Sequence, residues 1–561
     1  MKNVIETIRK YNIIEILIIS FLVIFCAILF GTKSFQILSD RGRELVLAQG
    51  ILDGKIPFKD ILLLYSPLAY YINAGFMYIF GSTLNSLLIA ATTCSIIFAV
   101  TYYLLAKEFI EKSLSFWITL LVVFGCISSC SIFKYLFPYS YSMIYGMTSS
   151  ILATFFLVKF SKNSNIKYLY LSGLLAGLAF SFKLEFLSIF MIFVGYIVWD
   201  KNLTLKNKIL SCLCATSMPI IVFFLPLIQG AKISDYIDYL NFFSHFSNTQ
   251  SMQSFYCDIG AIFNLSNITL YQKGIFGFLT VLILVGITFL FYKKTNKKIV
   301  FPIMFCVIIY LMFTTMKPYN HSILLPFLTL ILFITKFKEI KSNPTEMLIV
   351  LTAFALSIRC FFLMRMNLHG VYALPLIILA LYILIKKFTV PKNLLEEQNK
   401  IFKYITSIYI TFFVIMNIIT SFSCNSRLYS EKNSIFIPKE QTEILNKTID
   451  FINKNTKKTD KVLFLPEGQI INFLTERKCD LKLHMLDRLY YEGLGEEKAL
   501  ELLQNSDNDY IIIAKGFSLS DFSQPYLFTD NNKITRYISE NYNQTEYFGN
   551  KNHQIFIFQR K

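Results

Sequence analysis

Charge is scarce in this chain: 16% of its 561 residues are Asp, Glu, Lys or Arg, where a soluble globular protein carries about a quarter. That shortage argues against an ordinary soluble fold. Gly-rich phosphate loops, dinucleotide fingerprints and metal-ligand spacings are missing too, which removes the common nucleotide-site and metal-site motifs. No metal is required by the sequence, although a divalent ion is not excluded and the cofactor is unknown. Internal repeats and low-complexity tracts are absent. The formal net charge is +18, yet Lys and Arg are not gathered on one element, so nucleic acid is not the expected partner. Most of the eleven cysteines fall inside apolar stretches. Cys126 and Cys130, or Cys212 and Cys214, read more readily as small apolar fillers than as metal or redox pairs. The first apolar stretch lacks a small-residue cleavage site and reads as a signal anchor.

What the chain has in abundance is apolar length. Hydrophobic residues make up 55% and aromatic residues 16%, in blocks of about 17 to 22, long enough to cross a bilayer as helices. About 13 spans are expected. They lie near 13–31, 84–106, 113–131, 142–160, 168–183, 186–199, 209–228, 274–292, 299–316, 322–336, 346–363, 370–386 and 403–422. The stretch 61–80 is also apolar, but Pro67, Asn73, Gly75 and its tyrosines suggest a helix lying at the interface. Lys2, Arg9 and Lys10 put the N-terminus in the cytoplasm. Alternate connections then carry three or four Lys each, as at 159–167, 201–208, 293–298, 336–341 and 386–392. The opposite connections carry about one, as the positive-inside rule requires. An odd span count leaves the C-terminus outside.

After about residue 432 polar residues take over. Short strands are expected at 461–465, 510–514 and 554–558, with helices near 439–455, 495–504 and 533–542. The fold class is therefore a mainly α polytopic helical bundle, 1–432, followed by a small extracytoplasmic α/β domain, 433–561.

Candidate chemistry gathers in the outer connections. The first, about 32–83, carries Asp40, Glu44 and Asp60 just outside a span. A carboxylate held there can act as a general base at the membrane surface. Arg41, Arg43, Lys55 and Lys59 share the loop, so the acids could equally be paired. Lys134 begins an aromatic run containing Tyr139 and Tyr141, either an anchoring belt or a platform for sugar rings. Lys183 and Glu185 end a tight hairpin. A Lys at that depth suits a lipid phosphate, or it snorkels to the headgroups. His321 follows Lys317-Pro318-Tyr319-Asn320 and could hydrogen-bond a phosphate or hydroxyl. Arg365, Asn367 and His369 form a weaker cluster, and the sequons at Asn264 and Asn267 are discarded as chance. His484, Asp487 and Arg488 read as ordinary surface residues.

The order of these motifs resembles the family 39 type of membrane glycosyltransferases, in the GT-C class that includes protein O-mannosyltransferases and the lipid A aminoarabinose transferase. The resemblance rests on Asp40, Gly54-Lys55-Ile56-Pro57-Phe58-Lys59-Asp60, Ser66-Pro67-Leu68-Ala69-Tyr70-Tyr71, Phe80-Gly81, the glycine-rich stretch from Gly173 to Lys183, and Lys317 to Pro326. It covers the first 200 residues best. Many members have a doublet of acids where this chain has Asp40-Arg41, so Asp40 acts either alone or with Glu44 or Asp60. The resemblance implies transfer of a hexosyl or pentosyl group, with inversion, from a polyprenyl-phosphate donor to a glycan, lipid or protein acceptor. Asp40 would be the catalytic base, with Glu44, Asp60 or Tyr139 in support, and Lys183, Lys134 and His321 would bind the donor phosphate. The composition suggests a bacterial plasma membrane. The alternative is a transporter or flippase for lipid-linked sugars, which would show internal repeats or interrupted spans.

Overall fold

A computed structural model describes residues 12–561 apart from 35–36, 39, 130–132, 250–264, 316–318, 359–369, 389–391, 429, 431–432, 434, 483 and 518–531. The Arg365–His369 cluster and the Asn264 sequon lie outside the described residues, as do Lys317 and the side chains of Asn267 and Asn320.

The N-terminal half contains α1 (Ile13–Phe30), α2 (Arg41–Leu52), α3 (Leu68–Phe80), α4 (Leu84–Ala106), α5 (Lys112–Val122), α6 (Tyr141–Asn163), α7 (Ile166–Phe182), α8 (Leu187–Trp199), α9 (Leu205–Gln229) and α10 (Ile233–Asn248). Then come α11 (Leu265–Thr295), α12 (Val300–Thr314), α13 (Leu325–Thr335), α14 (Pro344–Ser357), α15 (Gly370–Ile385) and α16 (Lys392–Ser423). Among the described residues, every stretch expected to span is mainly helical. Six helices among the described residues, α1, α4, α6, α9, α11 and α16, are long and apolar enough to cross a membrane. Helices α3, α5, α7, α8, α12, α13, α14 and α15 are shorter apolar helices. Large apolar side chains such as Phe21, Ile28, Val198, Ile220 and Leu290 are exposed on their surfaces, as helices facing lipid require.

Small residues bring these helices together. A Cβ on Gly177 of α7 would lie 1.9 Å from the Ala215 carbonyl of α9, and one on Gly173 would lie 2.9 Å from that of Ser211. Two glycines four residues apart thus let the backbones touch, where in lipid close packing replaces the hydrophobic drive. This contact fixes α7, and Lys183 follows at its C-cap.

The C-terminal part contains α17 (Lys439–Asn455), α18 (Gln469–Thr475), α19 (Arg488–Leu494), α20 (Glu496–Asn505) and α21 (Lys533–Asn541). Strands β1 (Ser426–Arg427) and β2 (Phe436–Ile437) form a small antiparallel pair. Strands β3 (Val462–Leu465), β4 (Tyr510–Lys515), β5 (Tyr542–Gly549) and β6 (Gln554–Arg560) form a sheet ordered β3-β4-β6-β5. The β3–β4 pair is parallel and the rest antiparallel. Alternation decides the layers: Val462, Phe464 and Ile512 pack with Ile444, Leu445 and Ile449 of α17. Their neighbours Leu463, Leu465, Ile511 and Ile513 pack with α20 and α21 on the other face. Sequence periodicity anticipates three strands and three helices of this part but not β5, whose exposed polar run hides its pairing with β6.

The largest departure from expectation is α2, which the sequence suggests is loop. Its glycines at 42 and 50 weaken helix propensity, and nearly every residue of it is buried, so no polar face marks its period. What buries it is the C-terminal part. A Cβ on Gly42 would lie 2.2 Å from the Ile470 amide nitrogen of α18, and one on Gly50 would strike Leu481.

Candidate active site

Asp40 stands immediately before α2 with φ of 27°. That positive φ is uncommon outside glycine. Its carboxylate makes no helix-cap bond. Instead it accepts from Arg43 Nη1 at 2.7 Å and keeps 30% of its side chain exposed, whereas Arg43 is 1% exposed. A buried guanidinium therefore aims a half-open carboxylate.

Arg43 is the hub. Its Nη2 donates to Glu44 at 3.4 Å and to the Tyr139 carbonyl at 3.3 Å. Glu44 is buried and also accepts from Asn73 Nδ2 at 3.5 Å and the Tyr141 amide at 3.4 Å. Asn73 in turn accepts from the Tyr145 hydroxyl at 2.8 Å. Burial pushes the Glu44 carboxyl up to about 7 despite Arg43 beside it. The neighbouring cation Arg41 is also buried. It lies 5.1 Å from the Phe137 ring centroid, donates to Ser34, and has no carboxylate ion pair among the described residues. Burial pulls it down to about 10.

The aromatic run and the hairpin come to the same place. The Tyr65 ring takes Arg43 at 5.2 Å and Lys183 Nζ at 4.8 Å from its centroid. Lys183 donates to the Tyr139 hydroxyl at 3.3 Å and pairs with Glu185 at 2.8 Å. Its side chain is 10% exposed. Tyr139 also packs on Tyr372 of α15 at 6.1 Å. One ring thus joins the carboxylate's guanidinium to the hairpin's ammonium. Burial holds the Tyr65 phenol well above its usual range, and Lys183 opposes that shift.

Other expected residues have different partners. Lys134 donates to the carbonyls of Phe30 at 2.6 Å and Lys33 at 3.1 Å, closing the C-terminus of α1. Asp60 accepts from the Ile56 amide at 2.9 Å and shapes a turn. His321 Nδ1 meets the Tyr409 hydroxyl at 2.6 Å and its ring packs on Phe278. No hydrogen bond or ion pair among the described residues joins it to Asp40, Arg43 or Lys183.

One expectation is corrected. His484 and Asp487 are not surface residues but 1% and 9% exposed. Leu481 hydrogen-bonds the first loop, its carbonyl accepting from the Leu62 amide at 3.2 Å. Met485 and Tyr490 share an apolar cluster with Leu62 and Leu64. Asp487 caps α19 through the Tyr490 amide at 2.9 Å. It also lies in the field of Asp40 and Arg43, and burial, reinforced by Asp40, lifts its carboxyl to about 6. Nothing in the spacing of the sequence signals this approach, because it is made by docking across some 440 residues.

Among the described residues no group of three His, Cys, Asp or Glu side chains is placed to hold a metal ion.

Comparison with known proteins bears on the segment that builds this site. Residues 65–228 match the family of dolichyl-phosphate-mannose-protein mannosyltransferases. No curated protein matches the sequence significantly. Among solved structures the chain is similar to ArnT from Cupriavidus metallidurans bound to undecaprenyl phosphate. The TM-score is 0.54 and the identity 10%, covering 98% of each chain. It is also similar to the Archaeoglobus fulgidus oligosaccharyltransferase complex with zinc and sulfate. There the TM-score is 0.51 and the identity 12%, covering 97% of this chain and 73% of that one. The shared fold is that of GT-C membrane glycosyltransferases.

Proposed function

We propose that this GT-C-fold membrane protein is a glycosyltransferase that moves a sugar from a polyprenyl-phosphate donor to an acceptor hydroxyl. The reaction takes place on the extracytoplasmic face of a bacterial plasma membrane. The observation that carries the reading is Asp40, a half-exposed carboxylate aimed by a buried arginine and joined through Tyr65 to Lys183. The mannosyltransferase match over 65–228, which includes Tyr65, Tyr139 and Lys183, supports it.

The chemistry is a single displacement. The acceptor oxygen attacks the anomeric carbon, the carbon–oxygen bond to phosphate breaks, and the lipid phosphate leaves with the electron pair. Asp40 takes the acceptor proton, and one displacement inverts the anomeric centre. Arg43 keeps the carboxylate oriented. Lys183 meets the charge that develops on the phosphate, in a site lined by tyrosines where fixed charge acts strongly. Arg41 is a second buried cation available for that charge. Lys134 and His321 are already engaged with other groups, so we assign them no donor contact. The domain 433–561 caps the site through Asp487 and Tyr490.

The test is transfer of radiolabelled sugar from total bacterial polyprenyl-phosphate sugars by purified protein. A base in reach contributes about 10²–10⁴-fold, so Asp40→Asn should lose that much with the protein still folded. Full transfer by Asp40→Asn would overturn the mechanism.

A further inference from the structure

Below the site, the C-terminal half of α2 and the α18–β3 region of the C-terminal part enclose an open cleft of about 1590 Å³. From Glu44, its wall on α2 runs from Val46, roughly 3 Å along the helix, to Asp53, roughly 14 Å, at about 1.5 Å per residue. Three features describe what it would hold. Amide side chains line it, namely Gln49, Asn433, Asn453 and Asn472. Amides donate and accept together, as neighbouring sugar hydroxyls demand. Asn472 is 1% exposed. Its Nδ2 holds the Val462 carbonyl at 2.7 Å, while its Oδ1 has no partner among the described residues. A buried acceptor left open costs stability unless something donates to it. Finally, seven Lys or Arg line the cleft against four Asp or Glu. Lys55, Lys478 and Lys482 are exposed and form no ion pair among the described residues, whereas Asp53, Asp60 and Asp480 each already accept a hydrogen bond. Val46, Ile449, Phe473, Leu474 and Leu481 supply apolar wall.

We propose that this cleft binds an acidic glycan chain, the acceptor, whose distal sugars rest between α2 and the C-terminal part while a terminal hydroxyl reaches Asp40. The assignment of the glycan as acceptor rests on the transferase reading above; the binding site itself does not. The excess of unpaired cations selects for anionic chains, and the amides for hydroxyl-rich ones.

The experiment is fluorescence anisotropy of a labelled hyaluronan hexasaccharide, an acidic N-acetylated glycan, with the full-length protein in detergent. An acidic peptide of equal charge serves as competitor. The expected result is saturable binding by the wild type. A Lys478→Glu/Lys482→Glu variant with unchanged thermal unfolding should bind about tenfold more weakly or worse, the size of losing charge-assisted contacts. Lys55→Glu, on the opposite wall, should weaken it too. No saturable binding by folded wild type, wild-type affinity in both charge variants, or tighter binding of the peptide would each overturn the proposal. If Asp40→Asn retains transfer while hexasaccharide binding follows the pattern above, the cleft stands and the catalytic assignment falls. If transfer depends on Asp40 but no hexasaccharide binds, the cleft proposal falls alone.

Discussion

Arg43 shows how one side chain can serve both structure and chemistry. It is a buried cation facing two carboxylates and a carbonyl. Breaking such a group leaves charges unpaired in a dry setting, typically about 3–5 kcal/mol. Arg43→Ala should therefore lower the unfolding temperature and abolish transfer together. Arg43→Lys should keep much of the fold but lose activity, since an ammonium cannot hold Asp40, Glu44 and a carbonyl in one plane. Thermal unfolding and transfer, measured side by side, separate the two effects. Glu44 supplies a pH signature. Its carboxyl is pushed from 4.5 up to about 7 in the folded chain. Below about pH 4.5 it is neutral in both states. Between about 4.5 and 7 the unfolded chain has released a proton that the folded chain keeps, so stability falls across that window and then levels. Asp487, raised to about 6, adds a slope of the same sign at slightly lower pH. Glu44→Gln should flatten the upper part of the fall, and unfolding temperatures from pH 4 to 8 would show it; an unchanged slope would refute the assignment.

Helix α2 depends on its glycines. Gly42 lies where any side chain would meet the α18 backbone at 2.2 Å. That contact is with main chain rather than a flexible side-chain end, so it cannot relax cheaply. Gly42→Ala is expected to separate α2 from α18 and lower both stability and transfer, with the loss increasing for Gly42→Val. A Gly54→Asn control at the turn after α2 should be mild, since Gly54 has positive φ but open space around it, and Asn tolerates that backbone region. Equal effects of Gly42→Ala and Gly54→Asn on transfer would remove the close-approach argument. The glycines of α7 act similarly: Gly177→Leu should drive α9 away and displace Lys183.

The C-terminal part is bound into the fold rather than appended to it. It buries α2, supplies Asp487 beside Asp40 and Arg43, and packs α19 on α10, where Phe242, Phe246 and Tyr490 share a cluster. A chain ending at 432 should consequently insert its spans but leave α2 exposed. Size-exclusion profiles should show aggregation and transfer should be lost. A well-folded, fully active truncation would mean that the cap is dispensable.

Much of this arrangement was legible in residue patterns. Apolar patterning is a local property, which is why every expected span is mainly helical among the described residues and why β3, β4 and β6 fall on short apolar runs. Asp40, Tyr139 and Lys183 stood out because charge and aromatic clusters beside a bilayer are costly to leave idle, and the structure gathers all three around Tyr65. Arg43 as hub, Asp487 as a buried neighbour, α2 as a helix and Lys134 as a carbonyl clamp were not legible. Each depends on a partner far away in the chain: Arg43 on Tyr139, α2 on Ile470, Lys134 on Phe30. Local composition determines which segments prefer lipid, helix or strand, because those preferences are summed over neighbours. Which charges are paired, and which carboxylate is left partly exposed, is decided by packing, since burial and pairing exist only once distant segments meet.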